Sequence, residues 1–547
     1  MGWLSRLFGG KGDEGDHEPP SMPWDRRPSI LEHVRSHVAT DGPGMAEGGD
    51  TLPDEERIAE GSKIRWAAGA MDGVATHHMG AGEDVEAVRS TVGLVIAFSR
   101  QPTAANKAAL YRHVVTGHVV SIIDPVIEAL VNEGDIGHDR LYELTRSFVT
   151  EAPDRGPVKL GIALLGLFRQ PDDLELFQTL GRHDEFTLFC AVAIGNASED
   201  HDEALWTLAR NVTGWGRIHV VERLALTTDP AIKDWLLREG FRNSVMYEYL
   251  AGTCAKAGGL LAALSEDRVD RELLTGAGEI IQALIAGGPA GGIDDYEDAR
   301  PVIESYLGHM ATSAETVSDF LHIHAIKGFL DEDVSLWATR YDAGWSAECR
   351  DRLRSECESI LGRPEWADRV RSGLGSGDEL VFDQADRAAR ALGIDTWDLH
   401  WRRLRQKPTD PGRWYHVMAL CDEALCDEAR IGEAVEFAEA NLDLAGIATG
   451  AADELGLGRG FEQHSCLGYV FQELRRFPEK GGALIEAGLK NPVVRNRNMA
   501  AAALAGWPRG RWPCGLARSL GRAAECEPDE GVREWMQKVL NGEPLSP

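Results

Sequence analysis

Two short segments of the chain place a histidine directly before two carboxylates. They are residues 183–185 and residues 201–203, each reading His-Asp-Glu. Two imidazoles and one carboxylate are the ligands of non-haem iron centres, so each segment offers part of such a set. Both lie in turns between helical stretches, where an aspartate caps the helix that follows. Capping accounts for both segments without an ion.

Other histidine patterns also fall short of a metal site. His77 and His78 are adjacent and point in different directions on a helix, so a site there needs ligands converging from elsewhere. A helix C-terminus, where histidine is favourable, explains them equally. His33 and His37 share a helix face but lack the glutamate of the zincin pattern. We predict no metal ligand and no bound cofactor.

Signatures of common catalytic sites are missing. The sequence contains no G-x-S-x-G nucleophile elbow and no phosphate-binding G-x-x-x-x-G-K-[ST] loop. The glycine-rich turn at residues 456–460 lacks the preceding strand that dinucleotide binding requires. The catalytic residues, if the chain has any, are therefore not identified by pattern.

Two polar segments are candidates for binding a ligand or partner. The first is Arg495, Asn496, Arg497 and Asn498, which follow a proline-led helix start. The second lies in an otherwise acidic chain and contains Trp401, Arg402, Arg403 and Arg405, a cluster that can receive an acidic peptide or a phosphate. Each has a structural alternative. The first can donate to carbonyls at helix ends, and in the second arginines can lie on tryptophan rings.

The amino-acid composition and net charge restrict the class of protein to which this chain can belong. The chain has 547 residues, of which 43% are hydrophobic and 27% charged, as in folded soluble proteins. Its net charge of −31 argues against a nucleic-acid binder, which needs a basic surface, and favours a partner with a basic surface. Nine scattered cysteines indicate reduced thiols and a cytoplasmic location.

Membrane attachment is predicted to be weak at most. No apolar run is long enough to span a bilayer, and the N-terminus lacks the features of a secretory signal. Residues 1–8 carry a short apolar patch with one arginine, which is sufficient only for reversible peripheral contact.

The elements that must position these residues are helices. Apolar stretches at residues 158–168, 186–196, 217–226 and 245–256 each precede a shorter amphipathic helix, at a spacing of about 30 residues. Strand patterns are nearly absent. The sequence predicts an all-α, HEAT-like solenoid of stacked helix pairs, in one or two blocks. We expect a largely disordered tail over residues 1–54, interrupted by at most one short helix near residues 29–38. Helical-repeat domains should follow over 55–374 and 375–547, joined near a glycine-rich linker at 372–379.

Four segments carry a resemblance to known sequences: residues 66–78, 214–224, 239–255 and 491–507. They resemble a group of uncharacterised bacterial helical-repeat proteins, some of which carry the name limonene hydroxylase. The resemblance implies oxidation of a monoterpene, and it supplies no catalytic motif that could be transferred residue by residue.

These observations leave two functional hypotheses from different classes. The leading one is an interaction scaffold that binds an unidentified protein along a concave face, since stacked repeats create extended surfaces. The alternative is a monoterpene (limonene) hydroxylase, which needs a redox cofactor that no pattern here identifies.

Overall fold

The structure is a computed structural model that describes residues 24, 27–60, 66–79, 84–133, 136–197, 201–422 and 428–543. Within these ranges it contains 31 α-helices, together with short 3-10 and π segments. The same ranges contain no β-strand, only isolated bridges between Val38 and Met45 and between Glu454 and Val493. The prediction of an all-α protein is confirmed.

The chain divides into two compact units, residues 1–388 and 389–547. The helices that begin in the first unit are α1 (Ile30–His37), α2 (Glu55–Ala59), α3 (Ala70–His77), α4 (Val85–Arg100), α5 (Ala104–Val114), α6 (Val119–Glu133), α7 (His138–Glu151), α8 (Arg155–Leu165), α9 (Leu174–Leu180), α10 (Asp184–Ala197), α11 (His201–Ala209), α12 (Trp215–Arg223), α13 (Pro230–Trp235), α14 (Ala251–Gly258), α15 (Leu260–Leu264), α16 (Arg271–Ala286), α17 (Ala299–Ser313), α18 (Val317–Leu330), α19 (Val334–Asp342), α20 (Ala347–Leu361), α21 (Glu365–Leu374) and α22 (Glu379–Ala391).

The second unit is also helical. Its helices are α23 (Trp397–Gln406), α24 (Pro411–Asp422), α25 (Glu428–Asn441), α26 (Leu444–Ile447), α27 (Glu462–Leu474), α28 (Gly482–Leu489), α29 (Val494–Gly506), α30 (Leu516–Cys526) and α31 (Glu530–Asn541). The division after residue 388 lies inside α22, whereas the sequence suggested a linker at 372–379.

Consecutive helices pack in layers within each unit. In the first, α10 packs between α8 and α12, and α18 packs between α16 and α20. In the second, α24, α27, α29 and α31 form a similar succession. Helix α8 is buried almost all round, as its apolar sequence predicts for a helix sandwiched between neighbours.

Local sequence signals account for several helix starts. Asp229 accepts hydrogen bonds from the amides of Ala231 and Ile232, and Pro230 is the first residue of α13, as predicted. The helix predicted from residue 245 begins only at Ala251. Its early part is a turn, because the side chain of Asn243 accepts from the amides of Val245 and Met246.

Part of the predicted tail is helical, since α1 lies within the one short helix expected near residues 29–38. Ile30, Leu31 and Val34 on α1 are buried, and this helix packs against α7 and α9. A helix of only eight residues gains its stability from such packing. Among the described residues, no helix combines the length and apolar character needed to cross a membrane.

Candidate metal centre

Helices α3 and α12 bring two histidines and a glutamate together in the first unit. His77 is the last residue of α3, and His219 and Glu222 are three residues apart on α12. Residues at this spacing are neighbours on a helix surface. One possible ligand atom from each of the three residues lies within 4.8 Å of the other two. The group therefore has the composition and the convergence of a mononuclear metal site.

The hydrogen bonds of His77 define what the site requires. Its Nδ1 lies 2.9 Å from the carbonyl oxygen of Gly73, which only accepts, so Nδ1 carries a proton. Its Nε2 lies 2.9 Å from Oε1 of Glu222. The hydrogen bond that the carboxylate of Glu222 accepts from His77 raises the pKa of His77. A cation therefore belongs between this nitrogen and the carboxylate, and it can be a proton or a metal ion.

His219 is the least satisfied member of the group. The residue is only 2% exposed, and its Nε2 makes no hydrogen bond to any described residue. Burial lowers its pKa to about 3, with Arg223 and His77 adding to the effect, so the ring is neutral at pH 7. A buried polar atom without a partner is uncommon and calls for an explanation. A neutral imidazole is the form that binds a metal ion.

Aromatic rings surround the three residues. The rings of Trp215 and Tyr249 lie 5.6 and 5.3 Å from the ring of His77, and 5.1 Å from each other. The hydroxyl of Tyr249 is hydrogen-bonded to Nε2 of His78 at 2.5 Å. The side chains of His77 and Glu222 remain 17% and 36% exposed. An ion bound here would have three protein ligands and positions left open on the solvent side.

A close helix approach sets this geometry. A Cβ on Gly73 would lie 2.2 Å from the indole ring of Trp215, so only glycine permits α3 to lie directly on the start of α12. The same glycine supplies the carbonyl that orients His77. One glycine thus places α3 and fixes the tautomer of its histidine.

The first turn of α3 is held by a buried ionic cluster. The Nζ of Lys159 on α8 lies 2.6 Å from Oδ2 of Asp72 and 2.6 Å from Oε1 of Glu185. Glu185 also accepts from the amide of Gly69. Burial favours the neutral form of Glu185, but Lys159 and Arg155 outweigh it and lower its pKa to about 2. Fixed charges thus anchor α3 at the end opposite His77.

The two His-Asp-Glu segments do not supply ligands to this group. Glu185 is committed to Lys159, and Oδ1 of Asp184 accepts from the amide of Gly216 in the first turn of α12. Burial raises the pKa of Asp184 to about 7. The second segment starts α11, and its histidine side chain is 48% exposed. Asp184 instead contacts the helix that carries His219 and Glu222.

The predicted tetrad in the second unit is split between surface and interior. Asn496 and Arg497 are fully buried, Arg495 is exposed, and Asn498 is half-buried. The guanidinium of Arg497 donates two 2.6 Å hydrogen bonds to Glu527. It also donates to the carbonyls of Ala452, Asn491 and Pro492. These two buried residues therefore hold backbone and helix ends together, the structural alternative considered above.

The tryptophan–arginine cluster lies on α23. Trp401 stacks on Trp397 with ring centroids 5.7 Å apart, and it meets Phe437 edge-on. Arg402 and Arg405 are exposed, and Arg403 is half-buried. The packing of Trp401 assigns its ring to the core of the second unit, while the two exposed guanidinium groups remain accessible.

Some predicted features lie outside the described residues, among them the apolar patch at residues 1–8. His33 and His37 are described, and their rings stack 4.3 Å apart while His33 Nε2 contacts the carbonyl of Gly49. The sequence reasoning missed the pairing of His77 with α12. The only local signal was the H-x-x-E spacing of His219 and Glu222, which by itself is common.

No protein family, curated protein or solved structure matches this chain. Its function must be argued from geometry.

Proposed function

We propose that the first unit binds one ferrous ion through His77, His219 and Glu222 and uses it to oxidise a small apolar molecule. The observation that carries the proposal is the convergence of one possible ligand atom from each of these three side chains, together with the buried, unpartnered Nε2 of His219. Two histidines and one carboxylate with open positions are the ligand set of non-haem Fe(II) oxygenases.

Zinc is the main competing ion, because His₂Glu also holds catalytic zinc. Two considerations favour iron. The buried rings of Trp215 and Tyr249 give His77 largely apolar surroundings, which are compatible with an uncharged hydrocarbon substrate. The resemblance to proteins named limonene hydroxylase implies oxidation, for which zinc has no redox chemistry.

The reaction class is hydroxylation. A C–H bond, dioxygen, two electrons and two protons give an alcohol and water, with the electrons supplied by an external reductant. Bound iron supplies the redox chemistry. The hydrogen bond from Nδ1 of His77 to the carbonyl of Gly73 would orient this ligand.

Anaerobic titration of the metal-free full chain with Fe(II) tests this proposal. We expect one equivalent to bind in the wild type and in His201→Ala, a control at an exposed helix start. His219→Ala and Glu222→Ala should lose binding while retaining the wild-type helical content. Equal binding by these variants, or none by the wild type, would refute the site.

Turnover is tested separately by giving the iron-loaded protein limonene, dioxygen and a chemical reductant. We expect an oxygenated product whose formation is lost in His219→Ala. Absence of iron-dependent oxidation, or activity supported by zinc alone, would contradict the assignment to oxidation.

A second proposal is the interaction scaffold, favoured by the layered succession α24, α27, α29 and α31, which resembles the stacking of HEAT-like repeats. A cytoplasmic protein of net charge −31 would favour a partner with a basic surface. Arg402, Arg405 and Arg495 are exposed positions through which an acidic segment could also bind.

Affinity capture at low and high salt, followed by binding of the purified candidate, tests the scaffold. We expect salt to weaken a direct contact made by surface charges. Failure of every purified candidate to bind, together with measured turnover of a small molecule, would remove this second proposal.

A further inference from the structure

A second set of reactive side chains lies around a cavity in the first unit, remote from α3 in sequence. The cavity has a volume of about 450 Å³ and is bordered by α16, α18 and α22. Both Ser318 and His322, one helical turn apart on α18, contribute to its wall. A cavity of this size is sufficient for a small organic ligand.

The two side chains are within hydrogen-bonding distance. Oγ of Ser318 lies 3.3 Å from Nε2 of His322, and Nδ1 of His322 lies 3.4 Å from the hydroxyl of Tyr306. In the tautomer with the proton on Nδ1, this N–H donates a hydrogen bond to the hydroxyl oxygen of Tyr306. Nε2 then accepts a hydrogen bond from the hydroxyl of Ser318. This is the order of groups that activates a serine nucleophile: hydroxyl, imidazole and an orienting partner.

Gly278 makes room for this arrangement. A Cβ at this position would lie 2.2 Å from Nδ1 of His322 and 2.5 Å from the hydroxyl of Tyr306. Any larger residue would displace the histidine or its orienting partner. His322 is 2% exposed, and burial lowers its pKa to about 4, so the ring is neutral at pH 7.

Donors for a developing negative charge lie beside Ser318. The serine occupies the second position of α18, a helix of 14 residues whose N-cap is Thr316. The cap hydroxyl accepts from the amide of Asp319, and the carboxylate of Asp319 accepts from the amides of Glu315 and Thr316. The amides of Val317 and Ser318 belong to the first turn, where no intrahelical acceptor is available.

We propose that Ser318 and His322 form a nucleophile–base pair that cleaves a small ester in this cavity. The serine oxygen bonds to the ester carbonyl carbon as its proton passes to Nε2 of His322. The bond from the carbonyl carbon to the alcohol oxygen then breaks, and the alcohol leaves with that proton. Water next attacks the acyl-serine, releasing a carboxylic acid and restoring the hydroxyl of Ser318.

The charges of the cavity wall select the class of ester. Glu248, Glu279 and Asp383 line it with one cation, Arg387, whose guanidinium lies 3.3 Å from Asp383. The wall is therefore net acidic and disfavours an anionic substrate. Tyr247 and Leu321 add apolar surface. Neutral or cationic esters fit this lining.

A fluorophosphonate probe, which modifies activated serines, tests the pair in the full chain. We expect one label on Ser318, with labelling lost in Ser318→Ala. The matched control is Ser335→Ala, because Ser335 holds the same second position in α19 but has Thr339 one turn later. His322→Gln should slow labelling by about 100-fold or more, as expected on removal of a general base. No label, or a label that persists in Ser318→Ala, would overturn the proposal.

Hydrolysis of p-nitrophenyl esters tests the substrate class. A neutral butyrate ester should be cleaved by the wild type and by Ser335→Ala but not by Ser318→Ala. An ester bearing a carboxylate should be cleaved at least tenfold more slowly. Faster cleavage of the anionic ester would overturn the proposed selectivity. Neither the labelling nor the hydrolysis measurement involves the proposed metal site. The outcome of each is therefore independent of the iron proposal.

Discussion

Two buried side chains, Arg497 in the second unit and His219 in the first, differ in how completely their hydrogen bonds are satisfied. In the second unit, Arg497 and Glu527 are both fully buried and joined by two 2.6 Å hydrogen bonds. In the first unit, His219 is almost as deeply buried, yet its Nε2 has no partner among the described residues. The sequence singled out Arg497 as a binding candidate and did not single out His219. For these two side chains, the hydrogen-bond partners distinguish a structural role from a candidate ligand better than the sequence pattern does.

Removing Arg497 from its ion pair with Glu527 should produce the largest loss of stability. Arg497→Ala leaves Glu527 buried without its partner, so we expect the free energy of unfolding to fall by about 3–5 kcal/mol. Chemical denaturation measures this change. The control is Arg511→Ala, since the ion pair of Arg511 with Glu479 is 57% exposed on both sides and should contribute less than about 1 kcal/mol. Similar losses in both variants would contradict a structural role specific to Arg497.

Binding of Fe(II) by His77, His219 and Glu222 should stabilise the first unit. Fe(II) at 100 times its dissociation constant should raise the free energy of unfolding by about 2.7 kcal/mol, because the ion binds the folded state. Thermal unfolding under anaerobic conditions, with and without the ion, measures the change. His219→Ala should show no increase. An equal increase in that variant would place the ion elsewhere.

Asp184 should make stability depend on pH in the first unit. Its folded pKa of about 7 lies above the ordinary value of about 3.9, so its contribution to stability is complete below pH 4 and lost as the pH rises through 7. Because the residue is only half-buried, we expect about 1–2 kcal/mol.

The variant Asp184→Asn keeps an oxygen that can accept from the amide of Gly216. It should therefore flatten the fall in stability between pH 4 and 7, as followed by denaturation at several pH values. A profile identical to that of the wild type would show that Asp184 does not titrate in this range.

The smallest effect on stability is expected at the exposed arginines of the second unit. Arg402→Ala and Arg405→Ala should each change the free energy of unfolding by less than about 0.5 kcal/mol, as for surface positions. If these residues bind a partner, the double variant should weaken that binding without destabilising the fold. A loss of stability above 1 kcal/mol would assign them to packing instead.

Local sequence predicted the helices more successfully than their tertiary contacts. The apolar stretch at 158–168 predicted α8, and Asp229 with Pro230 predicted the start of α13, because caps and periodicity act within one turn. The proximity of His77 and His219 was not predicted because the two residues are far apart in the chain. They lie close together where Gly73 packs against Trp215, a contact that no local pattern encodes.

The most direct test of the metal centre is an anomalous difference map from crystals of the full chain grown anaerobically with Fe(II). The proposal predicts one peak at the iron edge, about 2.0–2.2 Å from a ring nitrogen of His77, a ring nitrogen of His219 and a carboxylate oxygen of Glu222. The peak should be absent in His219→Ala. No peak among these three side chains in the wild type, or an iron peak held by other residues, would contradict the assignment.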